Sequence, residues 1–178
     1  FTCYLWNIDR TLWVAEQVKR RRPETLVIVG GPEITPDNDW VLGSPAIDYA
    51  AIGEGEQTFA ELLAWHASEI SDFRFENSDV RFQIPGELAA INGLVHRVNG
   101  QMVQNSPRRP MPQLDPISSP YLAGILNAGD QEQLLLETIR GCIFKCKFCY
   151  YPKAYDGLYY VSREKILANL THAHENGA

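Results

Sequence analysis

The stretch Thr25-Leu26-Val27-Ile28-Val29-Gly30-Gly31-Pro32-Glu33 decides how this chain folds. A continuous β-branched and aliphatic run suits a parallel strand covered on both faces. The glycines that follow mark where the strand stops and a loop begins. Upstream, Phe1-Thr2-Cys3-Tyr4-Leu5-Trp6 is aromatic and apolar enough to predict a buried strand. Asp9 is placed to cap a helix through Leu12, Ala15 and Val18 to about Arg22, where Pro23 stops it. Downstream, Ile47-Asp48-Tyr49-Ala50-Ala51-Ile52 predicts a further strand, ending in Gly53-Glu54-Gly55-Glu56. A helix follows, with Phe59, Leu62, Leu63 and Ile70 on one face. Strand, helix, strand, loop, strand, helix is the pattern of a doubly wound, Rossmann-like α/β sheet, and residues 1–70 supply its last three strands. Glycine loops leave the C-terminal ends of two of them, the edge where open parallel sheets bind ligands.

Residues 71–130 have a different character. Asn99-Gly100 between 95–98 and 101–104 is a hairpin signal. Pro107, Pro110, Pro112, Pro116 and Pro120 then predict an extended linker. Residues 131–178 open with a strand over 133–139, continue through a loop, and close with a helix. Ser162 caps that helix, Ile166, Leu167, Leu170 and Ala173 form its stripe, and Gly177 follows it. Strand, loop and helix together read as the start of a partial (β/α) barrel, whose active-site face carries such loops.

The chain has 178 residues, enough for one domain or two small ones. A net charge of -6 gives no support to nucleic-acid binding by bulk charge. No apolar run is long enough to span a bilayer, so no membrane association is expected. Residues 1–9 carry neither a basic start nor a cleavage site, so no signal peptide is expected. Four cysteines, three of them bunched, do not make a disulfide framework, and a reducing cytoplasm fits them better. Phe1 is not an initiator residue, and Asn176-Gly177-Ala178 looks like a turn that goes on. The chain is therefore expected to be an excerpt of a longer protein.

Chemistry concentrates in Gly141-Cys142-Ile143-Phe144-Lys145-Cys146-Lys147-Phe148-Cys149-Tyr150. Three thiolates spaced C-x3-C-x2-C can bind three irons of a cubane cluster and leave the fourth without a protein ligand. Structural zinc, the alternative, takes four ligands. Cys3 lies in a predicted buried strand, and His66, His96, His172 and His174 are scattered, so no fourth ligand is visible. Arg140, Lys145, Lys147 and Lys153 surround the cysteines. Such charge favours thiolates, and it is also suited to docking an acidic electron donor.

Leu136-Glu137-Thr138-Ile139-Arg140-Gly141-Cys142 through Cys149-Tyr150 resembles the first strand and cluster loop of the radical S-adenosylmethionine superfamily. Gly30-Gly31-Pro32-Glu33 and Gly53-Glu54-Gly55-Glu56 resemble the cobalamin-binding domain that precedes the barrel in one branch. Ser118-Ser119-Pro120-Tyr121 is similar to a linker segment of that branch. The resemblance implies that Cys142, Cys146 and Cys149 ligate a [4Fe–4S] cluster, with S-adenosylmethionine on the open iron. Reductive cleavage would then yield a 5′-deoxyadenosyl radical. It also implies that Phe148 and Tyr150 lie near the adenine, and that Gly30, Gly31, Gly53, Glu54 and Gly55 line a cobalamin groove. The basic residues around the cysteines suit docking of a donor such as a flavodoxin, or form a solvated basic loop. The small-molecule substrate is left open, as is the reaction, methyl transfer or ring formation. Some cobalamin domains ligate cobalt through an Asp-x-His-x-x-Gly motif, which no residue here matches. Cys3 is a candidate ligand, although a buried strand cysteine usually acts as a small hydrophobe. The competing readings are a non-catalytic iron–sulfur or zinc protein, and a cobalamin or nucleotide-binding module. The 178 residues alone are expected not to cleave S-adenosylmethionine, because a barrel of this type needs roughly 200 residues or more.

Overall fold

The computed structural model describes residues 1–69, 85–131, 133–144, 146–149, 151 and 155–178. The chain divides into two compact units, Phe1–Arg109 and Pro110–Ala178.

In the first unit, β1 (Ile28–Val29) pairs in parallel with β2 (Tyr49–Ala51), with Ile28 opposite Tyr49. Thr2 forms a parallel bridge to Gly30 on the other side of β1. Side chains alternate across the sheet. Val27 and Val29 enter one core with Ala50 and Val95, whereas Ile28 and Tyr49 pack against a second core of Leu62, Ile91 and Leu94. The end of the run, Val27 to Val29, is thus covered on both faces as its composition predicts, while Thr25 and Leu26 are exposed and lie before the strand.

Helix α1 (Ile8–Arg21) covers the first face through Ile8, Leu12 and Ala15, with Val18 packed beside them. It stops before Pro23, as expected. A short helix α2 (Asp39–Leu42), capped by the Asn38 side chain, adds Val41 and Leu42 to the same core. Helix α3 (Gly55–Glu69) supplies Leu62 to the second core, with Trp65 packed against it.

Three expectations are corrected in this unit. Residues 1–6 are not a buried strand: only Cys3 reaches the core, and Leu5 and Trp6 are 77% and 80% exposed. The Asn7 side chain explains why. It accepts from the Tyr4 N–H at 2.7 Å and donates to the Thr2 carbonyl at 3.0 Å, turning the chain into α1 after one bridge. Asn7, not Asp9, sits at the N-cap. On α3 the buried residues among those described are Thr58, Leu62 and Ala64, while Phe59 and Leu63 are exposed; Ile70 lies outside the described residues.

The hairpin is not a linker. Strand β3 (Leu94–Val98) pairs antiparallel with β2, and β4 (Gln101–Gln104) extends the same sheet, giving the order β1-β2-β3-β4. Asn99 and Gly100 both have positive φ (51° and 82°), the geometry of a tight two-residue hairpin turn.

In the second unit, β5 (Ile139–Arg140) pairs antiparallel with β6 (Tyr159–Tyr160), and α4 (Arg163–Glu175) follows. In the expected strand over 133–139, Leu134 and Leu136 pack inward and Leu135 points outward, but only its end, from Ile139, pairs in a ladder. A ladder needs a neighbour, and β6 is the only one it has among the described residues. Its pairing with β6 is antiparallel.

From Pro110 onward the proline-rich segment belongs to this unit. Leu114 and Tyr121 are buried. The Asp115 carboxylate accepts from the Ser162 N–H at 2.7 Å, and Lys165 donates to the Asp115 carbonyl at 2.6 Å. Its prolines offer no N–H, so the segment docks through these groups and through the Leu114 N–H, which donates to the Tyr160 carbonyl at 3.4 Å.

Ser162 caps α4 by accepting from the Lys165 N–H, and Gly177 follows the helix at φ +83°. Asn169 and Ala173 are its buried residues, while Leu167 and Leu170 are exposed, contrary to expectation. Ser162→Ala is expected to destabilise this unit by about 1 kcal/mol, measured by denaturant unfolding. Among the described residues, no helix is long and apolar enough to cross a membrane.

A glycine edge on the sheet and a cysteine loop

The parallel strands β1 and β2 end side by side, and the two glycine groups follow them directly. They differ in what they face. At Gly31 φ is +104°, and a Cβ there would stand 2.7 Å from the Cys3 carbonyl oxygen and 2.8 Å from its nitrogen. Gly31 thus lets the backbone of Thr2 and Cys3 pass against the sheet end. Gly30 faces Ala51 at ordinary contact distance. At Gly53 (φ +81°) and Gly55, by contrast, a Cβ would meet nothing within 4 Å. The Gly53-Glu54-Gly55 turn carries the chain from β2 into α3 and borders open space, with Glu54 half-buried between the two glycines. A ligand can approach backbone closely at such a turn.

Cys3 is fully buried, its N–H donates to the Gly30 carbonyl at 2.7 Å, and burial pushes its thiol above the usual range. That environment favours the neutral thiol, which is a poor metal ligand, so Cys3 acts as a core residue.

In the second unit the three clustered cysteines lie between β5 and β6, on the connection 141–158, rather than directly between a strand and a helix. None is in a disulfide; Cys142 and Cys149 are half-buried and Cys146 is exposed. The Cys149 N–H donates to the Cys146 carbonyl at 3.1 Å, closing a turn between the second and third cysteines. Three free, solvent-reachable thiols on one loop are a donor set that fits an iron–sulfur cluster. The loop does not gather them: among the described residues, no group of three or more His, Cys, Asp or Glu side chains is placed to hold a metal ion.

Phe148 is 93% exposed, so it packs into no core here. Tyr150, Lys145 and Lys153 lie outside the described residues. Arg140 does not contribute to an exposed basic patch. It is buried, and it forms a forked pair with Glu137 at 2.6 and 2.9 Å. Lys147 is exposed.

Sequence reasoning missed the residues that hold this loop. The Gly141 N–H donates to the Tyr151 hydroxyl at 2.9 Å. The Tyr151 ring lies against Tyr155, and Tyr155 against Tyr159, with ring centroids 5.3 and 6.0 Å apart. Their spacing of four residues was the available signal. The Ser118-Ser119-Pro120-Tyr121 segment also has a defined place. Ser119 hydrogen-bonds Asn169 of α4, and the Tyr121 hydroxyl accepts from the Leu135 N–H at 3.3 Å.

Residues 1–63 match the family of B12 binding domains. Over 158 residues, 83% of the chain, the sequence is 34% identical to the cobalamin-dependent radical SAM methyltransferase TokK of Streptomyces tokunonensis. Identity and coverage are the same for the 2-(S-pantetheinyl)-carbapenam-3-carboxylate methyltransferase of Streptantibioticus cattleyicolor. An uncharacterized methyltransferase of Pyrococcus horikoshii is 33% identical over 76% of the chain. The chain spans 21% of the length of the first two relatives and 27% of the third.

Proposed function

Because this chain belongs to the cobalamin-binding branch of the radical SAM superfamily, we propose that it is part of a cobalamin-dependent radical SAM methyltransferase. The observation that carries the reading is the pairing, in one chain, of an open glycine edge inside the B12-binding match and three free thiols spaced C-x3-C-x2-C. When bound, the cluster, S-adenosylmethionine and cobalamin supply the one-electron and methyl-transfer chemistry. Cys142, Cys146 and Cys149 would hold three irons. Phe148 offers an uncovered aromatic face to an adenine, and the same role is proposed for Tyr150. Gly53 and Gly55 leave backbone accessible to the tail of cobalamin, with Glu54 between them. Gly30 and Gly31 shape the neighbouring strand end. Both relatives of known reaction are named as methyltransferases, which favours methyl transfer over ring formation. An acidic one-electron donor such as a flavodoxin would reduce the cluster, with Lys147 on its docking face.

The test uses the full-length protein, purified without oxygen and reconstituted with iron and sulfide. It is given hydroxocobalamin, S-adenosylmethionine and a reductant. Formation of 5′-deoxyadenosine together with S-adenosylhomocysteine supports the reading. A stably bound zinc ion with S-adenosylmethionine left intact would sink it. Cobalamin binding is read separately from the visible spectrum. Gly55→Val places a side chain into the open space at β2 without a positive-φ conflict, and should weaken cobalamin about tenfold while leaving the melting temperature unchanged. That factor is on the order of one lost close contact, 1.4 kcal/mol.

A further inference from the structure

The three cysteines lie between two residues that touch each other. Gly141 directly precedes Cys142, Tyr151 stands two residues after Cys149, and the Gly141 N–H donates to the Tyr151 hydroxyl at 2.9 Å. That single bond closes a ring of chain containing all three thiols. Both of its ends are braced. Gly141 adopts φ +96° and packs so tightly on Gly157 that a Cβ would collide with the Gly157 carbonyl oxygen. The Tyr151 ring leans on Tyr155, which leans on Tyr159. Tyr159 lies in β6 opposite Arg140, the residue before Gly141. The ladder of rings therefore returns to the strand from which the cysteine loop departs.

We infer that Tyr151 is a positioning residue of the cysteine loop: its hydroxyl ties the two ends of the C-x3-C-x2-C segment together, so that the three thiols are presented from one short closed loop. This role rests on the iron–sulfur reading above. Gathering three ligands from a flexible segment costs chain entropy, and closing the segment in advance removes part of that cost. The bond is to a backbone N–H, so it constrains the loop without using any atom that a cluster needs.

Tyr151→Phe in the full-length protein removes the oxygen and keeps the ring. Two measurements follow. In iron-free protein, hydrogen exchange of the Gly141 amide should rise about fivefold, the effect of one neutral hydrogen bond. In protein reconstituted with iron and sulfide, release of iron to EDTA should be about fivefold faster. The melting temperature of the iron-free variant should fall by a few degrees, as for any lost hydrogen bond. A brace with no role toward the cluster would give the same fall and leave iron release unchanged. Unchanged Gly141 exchange, or wild-type iron release in the variant, overturns the role while the iron–sulfur reading stands. A wild-type protein that takes up no iron overturns both.

Discussion

Gly31→Ala is expected to remove most of the stability of the first unit. Two effects act together there. The backbone at φ +104° is strained for any L side chain, at about 1–3 kcal/mol. The added Cβ also meets backbone atoms of Cys3 at 2.7 and 2.8 Å, which cannot rotate away, and overpacking of this kind costs about 1–3 kcal/mol more. Relief would require Thr2 and Cys3 to move off the sheet. That would break the Cys3 N–H to Gly30 carbonyl bond (2.7 Å) and the Glu33 N–H to Cys3 carbonyl bond (3.2 Å). A loss of about 3–4 kcal/mol corresponds to a fall of roughly 15–20 °C in the melting temperature of a unit this size. Gly53→Ala is the internal comparison. It has the same kind of positive φ (+81°) but no atom within 4 Å, so it should cost only about 1 kcal/mol. Calorimetry of both variants decides the matter, and equal effects would contradict the assignment of Gly31 to packing.

Arg108→Met should cost about 3 kcal/mol, approaching the range for breaking a buried ion pair by removing one partner. The Arg108 guanidinium is at the end of the first unit and its side chain is 10% exposed. It donates to the Thr58 hydroxyl at 2.8 Å, the Asn92 carbonyl at 3.0 Å and the Gln57 amide oxygen at 3.0 Å, and it pairs with the Glu61 carboxylate. One fork thus stitches the chain after the hairpin to three positions on α3. Removing it leaves the Glu61 carboxylate, 20% exposed, without this partner. Arg108→Met combined with Glu61→Met should recover at least half of the loss, because an apolar pair avoids the stranded charge. Arg108→Lys should recover less, since an ammonium lacks the planar fork. A double-mutant cycle by urea unfolding measures the coupling. Additive losses would show that the pair is only a surface contact.

These two sites illustrate what was legible. Gly30-Gly31 and Gly53-Glu54-Gly55 look alike in the sequence, each following an apolar run. Their difference arises from Thr2 and Cys3, which lie 28 and more residues before Gly31 in the chain and pack against Gly30-Gly31, while a Cβ at Gly53 or Gly55 would meet nothing within 4 Å. On α3 the apolar stripe of Phe59, Leu62 and Leu63 borders Thr58 one position round, so helical periodicity could not fix which edge of the stripe meets the sheet. The sheet chose, and it buried Thr58 and Leu62. The same ambiguity put Leu167 and Leu170 of α4 outside and Asn169 inside, where it bonds Ser119. The proline segment was mistaken for a free linker because its docking runs through Leu114, Tyr121, Asp115 and Lys165, none of which carries a local signature.

By itself the sequence determined what short-range physics controls. That covers the end of α1 before Pro23, the Asn99-Gly100 turn, the Ser162 cap and Gly177 stop of α4, and the spacing of Cys142, Cys146 and Cys149. Each depends on dihedral preference or on groups a few residues apart. Only the tertiary structure decided that the hairpin completes the first sheet, that Gly31 serves packing while Gly53 and Gly55 border open space, and that Arg108 reaches back to Glu61. It also showed that Tyr151 closes the cysteine loop. Such outcomes depend on which distant atoms come into contact, and the free energy of a contact is defined only once both partners have a place.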